Sequence, residues 1–205
     1  MKPPKRVDAA QSSRFASPWS MTDRVVRFAW EFCWTLFCSW TPKPANPWRL
    51  CWLRFFGARI EGKPFVHQRA RIAIPGNLTL HDRACLGDRA NAYSLAAIEI
   101  GPGAVVAQEA YLCTGTHDFS EPSTPLVVAR IAVGENAFVG ARAFVLPGVT
   151  IGTRAIIGAG SVVTRDVPDD VVAAGNPCRV LRPRVGSPSE SQPERPAAKK
   201  SDPAE

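Results

Sequence analysis

The sequence contains no long hydrophobic run, no CxxC cysteine pair and no recognisable signal-peptide pattern. No stretch of eighteen apolar residues occurs, so a membrane-spanning helix is not expected. The six cysteines are scattered and form no CxxC pair, which favours free thiols in a reducing cytoplasm over a disulfide framework. The basic start is not closely followed by a short apolar core with a small-residue cleavage site, so a signal peptide is not predicted.

Histidine is scarce as well, which bears on metal binding. The chain contains only His67, His81 and His117, and no second histidine follows His117 closely. We therefore expect no metal. The net charge of +7 comes without a basic stripe interleaved with aromatic residues, so nucleic acid is not an expected partner. A positive charge of this size suits an anionic small ligand or an anionic membrane surface instead.

What the sequence does contain is a strict repeat between residues 133 and 167. A six-residue period fits neither an α-helix nor a simple alternating strand, and it predicts a coil of short parallel strands, the hexapeptide β-helix. An ordinary β-sandwich would not keep such a period over six units. The β-branched residues that recur at every sixth position, and that we expect to point inward, are Val133, Val139, Val145, Ile151, Ile157 and Val163.

Looser repeats precede the strict ones, and the pattern breaks at His117. The phase slips by two residues within 92–98, and residues 118–129 contain prolines and show no inward period. A loop of this length leaving a repeating coil is usually functional. The break predicts a surface position for His117, where imidazole is well suited to accept a proton near neutral pH. A purely structural histidine is the alternative, and the sequence leaves open which group would orient the ring.

The composition divides the chain into four parts. Residues 1–22 and 183–205 are predicted to be disordered, 23–57 to form an aromatic helical cap, and 58–182 to form the repeat domain. The aromatic segment 25–40 is predicted to be helical and is too short to span a bilayer. It either covers the end of the coil as a lid or contacts a membrane surface. The second role would make a cytoplasmic protein membrane-peripheral.

Several segments together resemble the hexapeptide-repeat acyltransferases, and most closely those of the colanic-acid-biosynthesis type. The resemblance spans residues 25–182 and implies an all-β, left-handed parallel β-helix with an N-terminal helical cap and an excursion loop. The segments that carry it are Trp48-Arg-Leu, Phe56-Gly-Ala, Tyr111-Leu-Cys-Thr-Gly-Thr-His-Asp, Phe144-Val-Leu-Pro-Gly-Val-Thr-Ile-Gly, Gly158-Ala-Gly-Ser-Val-Val-Thr and Ala174-Gly-Asn-Pro-Cys-Arg.

The resemblance also implies a site and an assembly. It implies a homotrimer with sites between neighbouring coils, acetyl-CoA as the donor, and His117 as the general base. The implied donor contacts are Ala141, Ala159, Thr164, Arg179 and Arg182, and the implied acceptor contacts are Asn91, Tyr93 and Asp118. From the residues alone, the alanines could equally be corner residues and the arginines solvated charges.

The implied reaction is acetyl transfer to a hydroxyl of a sugar or saccharide intermediate, in surface or exopolysaccharide synthesis. Two other interpretations stay open. A repeating coil needs no active site, so the chain could be a non-catalytic scaffold or binding module. Within enzymes, serine or a xenobiotic could be the acceptor.

Overall fold

The computed structural model describes residues 5–6, 20–122 and 124–186. Two N-terminal helices precede a parallel β-helix, which confirms the predicted fold class. The segments predicted to be disordered, 1–22 and 183–205, lie outside the described residues except for 5–6, 20–22 and 183–186.

The two helices are α1 (Met21–Phe37) and α2 (Asn46–Phe55), joined through a 3-10 turn at Lys43–Ala45. A capping box starts α1, because the Ser20 hydroxyl accepts a hydrogen bond from the Asp23 amide at 3.1 Å and the Asp23 carboxylate accepts one from the Ser20 amide at 3.2 Å. The helix therefore begins before the predicted boundary at residue 23. Gly57 follows α2 with a left-handed φ of 90°, as expected for a residue that ends a helix.

Five coils follow, and each contributes one short strand to each of three faces. Along the chain, the strands of every coil belong to the first, second and third face in turn. Coil 1 has Arg59–Ile60, Phe65–Val66 and Arg71–Ile72; coil 2 has Leu78–Leu80, Cys85–Leu86 and Asn91–Tyr93; coil 3 has Ile98–Ile100, Val105–Val106 and Tyr111–Cys113; coil 4 has Ile131–Val133, Phe138–Val139 and Phe144–Val145; coil 5 has Thr150–Ile151, Ile156–Ile157 and Val162–Val163.

Each face is a parallel sheet in strict register. On the first face Ile100 pairs with Val133, which pairs in turn with Ile151, so equivalent residues stack one coil apart. A second 3-10 turn, Pro75–Asn77, links coils 1 and 2. After coil 5, strand Val171–Ala174 extends the second face in parallel, and strand Arg179–Pro183 returns antiparallel to it. This return strand covers the C-terminal edge of the second face.

The predicted inward positions form the core. All six, from Val133 to Val163, are at most 2% exposed, which confirms the repeat register. The coils stack so closely that a Cβ at Gly140 would lie 2.6 Å from the backbone nitrogen of Ala159 in the next coil. A glycine is therefore required there, since no side chain fits at that distance.

The helices close the N-terminal end of the core. Trp30 is buried and its indole N–H donates to the Ile72 carbonyl at 2.7 Å. Arg49 is fully buried, and its guanidinium donates to the carbonyls of Val66 and Pro42 at 2.9 Å and to the Thr41 hydroxyl at 2.8 Å. Burial lowers the pKa of Arg49, but these acceptors compensate its charge. Among the described residues no helix is long and apolar enough to cross a membrane.

The excursion between coils 3 and 4 is a β-hairpin arm rather than an irregular loop. Strands Gly115–His117 and Leu126–Val128 pair antiparallel, and Lys5–Arg6 adds to the outer strand. The hairpin forms because the chain has left the coil, and its backbone groups must find partners in each other. We call residues 115–128 the arm.

Candidate active site

His117 lies on the first strand of the arm, opposite Leu126, with an exposed side chain. Its Nδ1 is 2.8 Å from the carbonyl oxygen of Thr124 across the hairpin. A carbonyl can only accept, so Nδ1 must carry the hydrogen and Nε2 keeps the lone pair. The arm therefore presents an oriented histidine with a free basic nitrogen.

The contact that orients His117 in the structure is the Thr124 carbonyl. Asp118 shapes the arm instead, because its carboxylate accepts hydrogen bonds from the Ser120 amide at 2.9 Å and the Ser120 hydroxyl at 2.6 Å. The Asp118 amide also donates to the Pro125 carbonyl at 2.9 Å. These bonds hold the turn that places the Thr124 carbonyl against the ring.

The base of the arm is fastened to the third face by Thr114. This buried threonine donates its hydroxyl to the Tyr93 carbonyl at 2.6 Å and accepts a hydrogen bond from the Ala96 amide at 3.0 Å. Both partners belong to the segment where the repeat slips in phase. Next to it, a Cβ at Gly115 would lie 2.9 Å from a methyl carbon of Leu95 and 3.5 Å from the ring of Tyr93. The structure thus brings Tyr93 to the foot of the arm that carries His117.

An aromatic ladder continues along the third face from that point. The ring centroids of Tyr93 and Tyr111 are 6.0 Å apart, and those of Tyr111 and Phe144 are 4.9 Å apart in a stacked arrangement. Burial, with Cys113 and Tyr93 as neighbours, raises the pKa of Tyr111. Its phenol therefore stays neutral and can only donate or accept hydrogen bonds.

A cleft of about 380 Å³ lies between α1 and the third face. Two of the predicted acceptor residues, Asn91 and Tyr93, are in its wall. The charged residues that line it could not be predicted from the sequence, because neither a helix pattern nor a loose repeat shows which faces will pack together. The other lining residues are Arg27, Trp30, Glu31, Trp34, Thr35, Ala70, Arg71, Ile72 and Ala73.

Ala141 and Ala159 occupy equivalent turns of coils 4 and 5, on the edge between the second and third faces. The Gly160 amide donates to the Ala141 carbonyl at 2.8 Å, which ties the two turns together. The C-terminal segment folds over the same edge, since the Cys178 amide donates to the Val162 carbonyl at 2.8 Å. Arg179, at the start of the last strand, follows directly in sequence.

Thr164, Arg179 and Arg182 are all exposed. Each arginine donates one guanidinium hydrogen bond to a nearby backbone carbonyl, Arg179 to Cys178 at 2.9 Å and Arg182 to Pro183 at 3.2 Å. Within the described ranges neither arginine forms an ion pair, so both charges are available to an anion. Thr164 follows the last strand of the third face and therefore lies on a different edge from the alanines.

The arm and the two alanines do not share an edge of the prism. The arm leaves the coil between the third and first faces, whereas Ala141 and Ala159 lie between the second and third. The whole third face separates them within one chain.

The other two histidines are engaged elsewhere. His67 Nδ1 is 3.1 Å from an Asp88 oxygen, and His81 lies between Glu61 at 2.6 Å and Glu99 at 3.1 Å. Burial lowers the pKa of His81, but the hydrogen bonds that its ring donates to the two glutamates, together with their negative charges, outweigh burial and raise the pKa. Over residues 5–6, 20–122 and 124–186, no group of three or more histidine, cysteine or acidic side chains is arranged to hold a metal ion.

Comparison with known proteins places these features in context. The family model described as hexapeptide repeat of succinyl-transferase matches residues 130–165. The putative colanic acid biosynthesis acetyltransferase WcaF of Escherichia coli K12 is 39% identical over 160 residues, which cover 78% of this chain and 87% of that protein. The galactoside O-acetyltransferase of the same bacterium is 56% identical over 52 residues, covering 25% of this chain and 26% of its own.

A solved structure shows the same architecture. The maltose O-acetyltransferase of Clostridium difficile 630 superposes with a TM-score of 0.69 at 27% identity. The superposition covers 80% of this chain and 89% of that one.

Proposed function

The chain belongs to the hexapeptide-repeat acetyltransferases, and from this premise we propose that it moves the acetyl group of acetyl-CoA to a hydroxyl of a saccharide. We further propose that this saccharide is an intermediate of surface or exopolysaccharide synthesis, and that the reaction takes place in the cytoplasm. The observation that carries the proposal is the orientation of His117, whose Nδ1–H is held by Thr124 while Nε2 is left to accept a proton.

The chemistry follows from that free nitrogen. A sugar hydroxyl is too weak an acid to attack a thioester unaided, so Nε2 removes its proton as the oxygen bonds to the acetyl carbonyl carbon. The imidazolium so formed donates through Nδ1 to the Thr124 carbonyl, which is oriented to stabilise the positive charge. When the tetrahedral intermediate collapses, the C–S bond breaks and Nε2–H returns the proton to the departing CoA sulfur. Backbone N–H groups would stabilise the oxyanion.

The cleft beside α1 is the proposed acceptor site. Its two tryptophan rings offer apolar surface, while Asn91, Arg71 and Glu31 offer hydrogen-bonding groups, and a polyhydroxylated acceptor could use both. The foot of the arm lies beside the same cleft at Tyr93. The names of the relatives, which refer to galactoside, maltose and colanic acid, support a saccharide as the acceptor.

The donor is proposed to bind between two chains of a homotrimer. Backbone groups at Ala141 and Ala159 would hold the pantetheine arm, Thr164 would contribute from a second edge, and Arg179 and Arg182 would meet the nucleotide phosphates. The separation of the arm from the alanine edge supports this arrangement, because a neighbouring chain can supply the missing edge.

The acceptor class is tested by measuring CoA release from acetyl-CoA with a panel of sugars, serine and amphenicols. We expect release with one or more sugars. Release with serine or an amphenicol alone would contradict a saccharide acceptor. If every acceptor failed, the scaffold interpretation would replace the enzymatic one.

Replacing both Arg179 and Arg182 with Ala should raise the Michaelis constant for acetyl-CoA more than it lowers turnover. The reason is that phosphate binding is remote from the reacting carbonyl and acts on ground state and transition state alike. Steady-state kinetics measures both parameters. Arg83→Ala serves as the matched control, because it removes an exposed arginine from the turn between the first and second faces of coil 2. An unchanged constant in the double variant would assign the pair to solvated surface charge.

At low acetyl-CoA, trimers that combine two different variant chains should show activity that neither variant shows alone. Chains with His117→Ala and chains with both Arg179→Ala and Arg182→Ala are co-expressed, and light scattering checks that the product is a trimer. If each site takes His117 from one chain and the two arginines from its neighbour, random mixing leaves roughly one site in four with both intact. Activity at the level of the separate variants would show that both parts act within one chain, and an active monomer would exclude a site between chains.

A further inference from the structure

Helix α1 is apolar on two opposite sides. Its inner side packs Trp30 and Trp34 against the end of the core. The opposite side carries large apolar residues at the spacing of one helical face, and each is at least 50% exposed. We call this set the outer stripe: Met21, Val25, Phe28, Phe32 and Leu36. Large apolar side chains on a helix surface are normally covered, yet in the part of the chain that the structure describes nothing covers this stripe.

Exposed aromatic rings extend the apolar surface past the end of α1. Trp40 is 73% exposed, and its indole N–H donates to the Leu36 carbonyl at 2.7 Å. Trp48 donates in the same way to the Phe37 carbonyl at 3.0 Å. Their polar atoms are therefore used by the last turn of the helix, and the exposed parts of both rings present only carbon. Trp48 also lines a small surface pocket of about 220 Å³ with Cys51, Trp52 and Phe55.

The charges around this surface are mostly positive. Arg24, Lys43 and Arg54 are exposed, and across the described segments none of them forms an ion pair. The acidic residues on α1 are Asp23, which is engaged in the capping box, and Glu31. Aromatic and aliphatic side chains with a cationic surround match the interface of an anionic bilayer, where rings enter the headgroup region and arginines meet phosphates.

The rest of the chain offers little to cover the stripe. Residues 187–205 contain no valine, isoleucine, leucine, methionine, phenylalanine, tyrosine or tryptophan, and residues 7–19 contain only Val7, Phe15 and Trp19 from that group. Neither segment contains enough large apolar side chains to cover the outer stripe together with Trp40 and Trp48. A second copy of the chain would bring its own arginines against these arginines.

We propose that α1 lies in the interface of a membrane containing anionic lipid, with the outer stripe and Trp40 inserted. The helix is too short to cross, so it lies along the surface rather than through it. Its other flank carries Arg27 and Glu31 into the cleft beside the third face. Docking therefore holds that cleft next to the membrane surface. This inference stands on α1 itself and does not require the proposed reaction.

The test is co-sedimentation of the full-length protein with vesicles of phosphatidylcholine, with and without about 30 mol% phosphatidylglycerol. The anionic lipid gives the vesicles a negative surface potential. We expect binding to the anionic vesicles that weakens at high salt. Phe28→Ser with Phe32→Ser should weaken binding about a hundredfold, since two inserted rings are lost and each contributes about tenfold or more. Both rings are more than half exposed, so the melting temperature should change little.

Phe119→Ser is the matched control, because Phe119 is 80% exposed on the arm and lies outside the surface in question. It should bind vesicles like the wild type. Arg24→Glu with Arg54→Glu should remove the preference for anionic vesicles. The proposal is wrong if the wild-type protein does not sediment with anionic vesicles, or if the double-serine variant sediments equally well. It is also wrong if that variant changes only the oligomeric mass in light scattering, which would make the stripe an interface between copies.

Discussion

His117→Ala should lower turnover by roughly 10² to 10⁴-fold while leaving the fold and acetyl-CoA binding intact, since that is the usual contribution of a positioned general base. The side chain is exposed on the arm and takes no part in the core, so its removal leaves no cavity. The donor contacts proposed above involve other residues. Turnover, thermal melting and calorimetric binding of acetyl-CoA measure the three properties separately.

His117→Asn separates proton transfer from simple hydrogen bonding. The amide can still donate to the Thr124 carbonyl but cannot take up a proton, so we expect nearly the same loss as with alanine. His81→Asn is the matched control, because it removes another histidine from the first face, away from the arm. Near-wild-type turnover in either His117 variant would show that another group is the base. A loss of acetyl-CoA binding would instead indicate that the arm positions the donor.

Ile151→Asp should abolish stable folding. Ile151 is fully buried between Val133 of coil 4 and Val167 beyond coil 5, in a column of buried aliphatic side chains. An unpaired carboxylate there costs several kcal/mol, which is a large share of the roughly 5–15 kcal/mol that stabilises a typical domain. Circular dichroism during heating, together with the soluble yield, measures the effect.

Thr150→Asp tests the same chemistry on the other side of the same strand. Thr150 is exposed, so its carboxylate would remain in water and the melting temperature should fall only slightly. Equal destabilisation by both variants would mean that the strand tolerates no acid on either side. If Ile151→Asp melted like the wild type, the assignment of Ile151 to the inward column would be wrong.

The repeat was predictable from the sequence because a β-helix is built from neighbours in sequence. Each inward residue contacts its equivalent one coil later, so a fixed period along the chain becomes a fixed register in space. Ile151 could therefore be assigned to the core from its spacing alone. His117 could be singled out as well, since a break in so regular a pattern marks the place where the chain leaves the coil.

The surroundings of these residues depended on contacts that spacing does not encode. The hairpin register selected the Thr124 carbonyl, seven residues away, as the partner of His117, because the pairing of two strands sets which backbone group faces the ring. The cleft forms only because α1 packs on the third face, and the spacing of residues along the chain does not predict that packing.

The sequence by itself determined the coil, its inward residues and the point where the arm leaves. Only the tertiary structure decided that Arg49 is buried among carbonyls, that the arm and Ala141 lie on different edges, and that none of the other described residues covers the outer side of α1. The physical reason is the range of the interactions. Stacking between coils repeats locally and leaves a periodic trace, whereas helix docking and edge geometry join residues whose separation follows no rule.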